Sequence, residues 1–158
     1  MSLIEHGPLT LPFPPDQMAE VRTQFAALCY RMVGEKPEFL LITSRGTGRW
    51  IVPKGWPMAG RTAPGCALRE AYEEAGVIGR AAATPLGLYP YTKLLDDGQA
   101  VPCAALVFPV RVSALKAEYP EAGQRNRRWF RRKKAARRVE EAALSQIILD
   151  FDPARHRL

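Results

Sequence analysis

The chain has 158 residues, 47% of them hydrophobic and 25% charged, a composition that fits one globular domain and excludes a disordered or fibrous protein. Its formal net charge of +7 favours an anionic partner, whether polyphosphate, nucleic acid or membrane surface. No segment approaches the ~20 consecutive apolar residues of a membrane span, and the first twenty residues lack the apolar run of a secretory signal. The expectation is therefore a soluble, cytoplasmic protein with no membrane partner. Cys29, Cys66 and Cys103 are odd in number and far apart in apolar surroundings, which reads as buried thiols in a reducing compartment rather than a disulfide or zinc framework.

In chain order, residues 1–17 are proline-rich and read as an irregular arm, with Leu11 and Phe13 its apolar anchors, and 18–158 as a single domain. Residues 22–32 and 38–43 predict two strands of a hairpin, joined by a turn punctuated by Gly34 and Pro37. Residues 49–53 predict a short strand ended by Pro53, which cannot continue a ladder. A helix follows over 64–75, with Pro64 in its first turn and Gly76 as a left-handed terminator. Ala67, Leu68, Ala71 and Ala75 form its apolar stripe, which leaves the glutamates of the helix facing away from the core.

Beyond it, two strand-like runs flank a turn at Asp96, Asp97 and Gly98, and NRRWF reads as a last short strand. Residues 131–149 predict one amphipathic C-terminal helix. The basic run over 125–138 reads as the solvated face of that helix with Trp129 and Phe130 packed inward, ahead of a nucleic-acid surface. No long heptad pattern appears, so the oligomeric state stays open.

Glu70, Glu73 and Glu74 stand at i, i+3 and i+4 of the predicted helix, so three carboxylates share one face and repel unless water screens them or cations intervene. A glycine loop precedes them, and magnesium favours such hard oxygen ligands with positions left for substrate phosphates.

Residues 55–77 resemble the Nudix box, G-x5-E-x7-R-E-U-x-E-E-x-G-U with U aliphatic. Gly55 is the first glycine, Arg69 and Glu70 the R-E pair, Ala71 the small U position, Glu73 and Glu74 the E-E pair, and Gly76 and Val77 the close. One position departs: Arg61 stands where the pattern has its first glutamate. The approach RWIVPKGWP and the late RRWF strand followed by a helix resemble the diphosphoinositol polyphosphate phosphohydrolase-like branch, and the resemblance covers about residues 24–151.

The resemblance implies an α/β/α sandwich around a mixed β-sheet and magnesium- or manganese-dependent hydrolysis of a small anionic substrate. That substrate is a nucleoside diphosphate derivative or a polyphosphate such as a diphosphoinositol polyphosphate. It further implies Glu70, Glu73 and Glu74 as metal ligands with the Gly55 backbone beside them, and Glu70 as base or as a holder of the reacting water. Arg69 orients the glutamates; with its usual partner replaced by Arg61, it needs another carboxylate, of which Glu73 is one. Arg45, Arg49, Lys54 and Arg61 are candidates to bind the polyphosphate, with Lys93 beside them. Trp56 either stacks on a substrate base or caps the core, and Glu118 and Glu121 are candidates for a further acidic ligand. The competing reading is a Nudix-fold module that binds a nucleotide or RNA with little or no catalysis, suggested by Arg61 and the basic run.

Overall fold

The computed structural model describes residue 13 and residues 20–156. Apart from Phe13, the arm expected over 1–17 lies outside the described residues, as does Leu11.

Strands β1 (Arg22–Val33) and β2 (Lys36–Thr43) form the expected antiparallel hairpin. After it come β3 (Trp50–Ile51), β4 (Lys54–Gly55), helix α1 (Ala63–Ala75), β5 (Val77–Ala81), β6 (Gly87–Leu94) and β7 (Ala100–Leu115). The chain then runs through β8 (Arg127–Arg131), α2 (Arg132–Arg138), α3 (Ala142–Asp150) and a 3-10 turn at Pro153–Arg155.

Parallel pairing of β1 with β7 forms the centre of the sheet, and β2 borders β1 on its other side. The other pairings in the sheet are antiparallel, so the sheet is mixed. Alternation along β1 sends Ala26, Leu28 and Tyr30 to one face and Ala27 and Cys29 to the other. Helices α2 and α3 cover the first face through Ala135, Leu144 and Ile148. Helix α1 covers the second through Ala67, Ala71 and Ala75, whose small side chains sit against Ala27, Cys29, Phe108 and Val110. Helices on both faces make the expected α/β/α sandwich. All three cysteines are buried and free, and among the described residues no helix is long and apolar enough to cross a membrane.

Three expectations need correction. The C-terminal helix is two helices: Val139 is extended (φ −79°, ψ 145°), buried, and bridged to Trp50, so burying its branched side chain there breaks the helical run. The strand over 49–53 is split into β3 and β4, and Pro53 between them still accepts a bond from the Ala27 amide at 2.9 Å. Val77 and Ile78, read only as residues packing back on the core, begin a full strand that pairs with the far end of β7.

Candidate active site

Helix α1 starts where Thr62 Oγ1 accepts from the Gly65 amide at 3.1 Å, and ends at Gly76 in the left-handed conformation (φ 69°, ψ 23°). Gly76 is required twice over: its backbone sits where β-carbons are strained, and a Cβ there would stand 2.6 Å from Tyr119 and 2.7 Å from Arg127. The segment after β7 is tied to this helix. The Glu121 amide donates to the Glu73 carbonyl at 3.0 Å, and Arg127 Nη1 donates to the Ala75 carbonyl at 2.7 Å.

These ties bring Arg125 under the glutamates. Its Nη2 lies 3.1 Å from Glu74 Oε1, its Nε donates to Glu121 Oε1 at 3.2 Å, and its Nη1 donates to the Thr43 carbonyl at 3.2 Å. The Lys54 amide donates to the other Glu74 oxygen at 3.0 Å. Glu74 is thus 5% exposed, against the expectation that the glutamates all face away from the core. The physical reason is that two donors wait for it at the seam between α1 and the sheet, and a paired carboxylate tolerates burial.

One turn apart on α1, the Glu70 and Glu74 carboxyls stand close enough to influence one another. Burial pushes the Glu74 carboxyl up to about 8; Arg125 opposes the shift and the Glu70 contact adds to it. Glu70 is raised too, by burial first. The two carboxyls are coupled, each raised above the ordinary carboxylate range, with the Arg125 guanidinium beside them. Gly55 closes the other side: a Cβ at that position would overlap the Glu70 carboxyl, so only glycine lets β4 approach it. Glu73 stands apart, accepting from Arg69 Nε at 2.8 Å.

The structure distributes the other sequence candidates unevenly. Half-buried Lys54 holds its ammonium 4.9 Å from the centre of the Tyr91 ring, and burial lowers its pKa to about 8 against the pull of Glu74. Arg45 is on the rim, donating to Gln124 at 3.2 Å and lying 3.9 Å from Glu121. Arg49 is pinned to Glu141 at 2.7 Å, with Glu140 at 3.6 Å, so its charge is already engaged in holding the start of α3. Arg61 is exposed and has no carboxylate within 4.0 Å among the described residues. Trp56 is 36% exposed with Lys93 Nζ 5.9 Å above its ring. Glu118 is exposed, whereas Glu121 joins the site through Arg125.

Arg125 is the residue that sequence reasoning missed, because it was absorbed into the basic run. Strand alternation separates it: Arg125, Arg127 and Trp129 point toward α1, and Phe130 toward α2.

Among the described residues no three acidic, histidine or cysteine side chains converge as a ready metal site. The donor chemistry nonetheless fits a divalent cation at the Glu70 and Glu74 pair. Two carboxyls already crowd one another there beside a backbone that admits no Cβ, and a cation would relieve the crowding that raises their pKa.

A mixed sheet sandwiched by helices, with a glutamate dyad on the helix that follows a glycine-bearing short strand, defines the class. The model of the NUDIX domain matches residues 22–151, and the chain belongs to that family. Among curated proteins it is similar to mouse diphosphoinositol polyphosphate phosphohydrolase 3-alpha, 33% identical over 67% of this chain and 62% of that protein. It also resembles Arabidopsis thaliana Nudix hydrolase 12, mitochondrial, 32% identical over 63% of this chain and 51% of that one. The match thus spans less than two thirds of these relatives' own length. Among solved structures, a NUDIX hydrolase from Nitrosomonas europaea superposes with a TM-score of 0.63 at 19% identity, covering 87% of this chain and 91% of that one. The NUDIX domain of Shewanella oneidensis NrtR, solved in complex with ADP ribose, gives 0.61 at 12% identity, covering 88% and 93%. At these identities the structures support the fold.

Proposed function

We propose that the chain hydrolyses phosphoanhydride bonds in a small, strongly anionic substrate, with magnesium or manganese held by Glu70 and Glu74. The substrate class that fits first is a diphosphoinositol polyphosphate, which the mouse relative is named for. The observation that carries the reading is the pairing of Glu70 and Glu74 on α1, with Glu74 fixed by Arg125 and the Lys54 amide and Gly55 leaving room for the Glu70 carboxyl. When bound, the cation supplies positive charge to the phosphate oxygens and acidifies water. The protein's own groups do the rest. Arg125 and the Lys54 amide hold Glu74 in place, and Glu70, raised by burial, is placed to take a proton. Glu73 joins the ligands only by exchanging Arg69, so Arg69 keeps an orienting role. Lys54 and Lys93, with Arg45 and Arg61 on the exposed side, bring positive charge to a polyphosphate.

Phosphate release from a diphosphoinositol polyphosphate, a dinucleoside polyphosphate and ADP-ribose, each with magnesium and with manganese, tests this. Metal-dependent turnover of the first is expected to lead, and no turnover of any of them overturns the reading. A second reading, a module that binds such a ligand without turning it over, draws on Arg61 in the box and on Arg69 holding Glu73. It requires saturable binding with no release under the same conditions.

The dyad also sets a pH dependence. A carboxyl whose folded pKa is raised keeps its proton in the folded state after the unfolded chain has lost it. The metal-free protein therefore loses stability as pH rises from the ordinary carboxylate value of 4.5 toward about 8. Lys54, lowered from 10.5 to about 8, changes its contribution mainly above that window. Thermal melts from pH 5 to 7.5 are expected to show a falling midpoint without metal. Magnesium is expected to raise the midpoint more at pH 7.5 than at pH 5.5, because it displaces a proton. A magnesium shift independent of pH would place the cation elsewhere.

A further inference from the structure

The basic run does not behave as one feature. Arg125 and Arg127 are committed to α1, and Arg132 Nη1 donates to the carbonyls of Ile148 at 2.8 Å and Phe151 at 2.6 Å, holding the end of α3. Six cations are left over: Arg128 and Arg131 on β8 and Lys133, Lys134, Arg137 and Arg138 on or beside α2. All six are exposed, and they line a groove of about 790 Å³ between the strand and the helix.

Among the described residues none of the six has a carboxylate within 4.0 Å. The groove's one acid, Glu38, is occupied by Arg31 at 2.8 Å. Lys133 with Arg137, and Lys134 with Arg138, are like charges at i, i+4 on a seven-residue helix only about 10 Å long, an arrangement that costs stability unless an anion relieves it. Ordinary solvated helix faces intersperse acids for that reason. Among the described residues no acid supplies that relieving charge.

The groove also limits what that anion is. Six cations spread along it exceed what one phosphate needs and suit a chain of phosphates. Trp129 already carries Arg31 at 4.2 Å over its ring, and Phe130 is 3% exposed with Arg128 and Arg138 over it at 5.4 and 5.9 Å. Both aromatics of the groove thus already carry arginines, so a stacked base would have to compete with them. The large exposed hydrophobics, Val33, Trp56, Ile78, Leu94 and Leu149, are not on β8 or α2, so nothing there inserts into a bilayer. The cations lie along one five-residue strand and one seven-residue helix, a short reach that suits the backbone of a single strand. We infer that the β8 and α2 groove is a second binding site, separate from the glutamate dyad, for the phosphodiester backbone of single-stranded nucleic acid, taken without reading base sequence.

Fluorescence anisotropy with a labelled 12-nucleotide RNA ending in a 5′-hydroxyl, and with DNA of the same sequence, tests it. Such a strand contains no phosphoanhydride, so the outcome is independent of the hydrolase reading. Both strands are expected to bind at ~50 mM salt, and log affinity to fall against log salt with a slope of roughly −4, about 0.7 per cation. Between 50 and 200 mM salt that is a loss of roughly 250-fold.

The variant K133Q/K134Q/R137Q/R138Q is expected to bind at least tenfold more weakly at 50 mM, with a slope near −1 to −1.5, while phosphate release is unchanged. R128Q/R131Q, which leaves the helix untouched, is expected to lower the slope by about 1.4, and E74Q to leave RNA binding intact. Circular dichroism verifies that each variant is folded. No RNA binding at ~50 mM overturns the inference, even if inorganic polyphosphate or anionic vesicles bind instead. So does a slope that neither groove variant changes, or a preference of more than tenfold between strands of different base sequence.

Discussion

Replacing Glu74 by glutamine is expected to lower turnover by about 10²–10³-fold while the protein stays folded. The change removes the carboxyl that would give up its proton to a cation, and keeps the side chain's volume and one carbonyl acceptor for either Arg125 or the Lys54 amide. Stability consequently changes little, since the neutral amide imitates the protonated carboxyl that burial already favours. Catalysis loses the charge that would hold the cation, and roughly 3–4 kcal/mol of transition-state stabilisation, at about 1.4 kcal/mol per tenfold, gives the stated range. Steady-state phosphate release at saturating magnesium measures it. Asp150→Asn, at the exposed end of α3, serves as the silent control. Turnover within twofold of wild type would remove Glu74 from the site.

Arg125→Met is expected to strike stability harder than any substitution on the surface of α1. The side chains of Arg125 and Glu74 are 8% and 6% exposed, and the guanidinium also serves Glu121 and the Thr43 carbonyl. Methionine fills much of the volume but leaves a buried dyad charge with no counter-charge, which costs about 3–5 kcal/mol. For a chain of this size that corresponds to a melting midpoint lower by on the order of 10 °C. The double variant with Glu74→Gln leaves a neutral amide where the carboxyl lost its Arg125 partner and is expected to recover part of the loss. Additive costs in that cycle would mean that the two side chains do not interact.

Much of the sandwich could be read from the sequence because its signals are local. The hairpin turn, Pro64 and Gly76 around the helix, and the strand pair about Asp96 to Gly98 each fix structure through residues close in the chain. Val139 shows the limit, since good helix formers surround it and only a distant partner, Trp50, makes the extended conformation worthwhile. The same holds in the site. Spacing placed Glu70, Glu73 and Glu74 on one helix, but that Glu74 is buried depends on a donor fifty-one positions later, which no periodicity announces. Arg49 was read by its proximity to the box, whereas Glu141 claims its charge across ninety-two residues.

The parallel pairing of β1 with β7 has a consequence in time. Arg22 pairs with Cys103 and Tyr30 with Arg111, so the centre of the sheet forms only after a loop of roughly eighty residues closes, an entropic cost paid before those contacts reward it. During synthesis the β1 and β2 hairpin emerges long before β7 and must wait with one edge bare. Helix α1 and its glutamates are made in that interval, yet Arg125 follows β7 in the chain. The dyad can therefore acquire its counter-charge only at the end of folding, so the site is among the last parts of the molecule to mature.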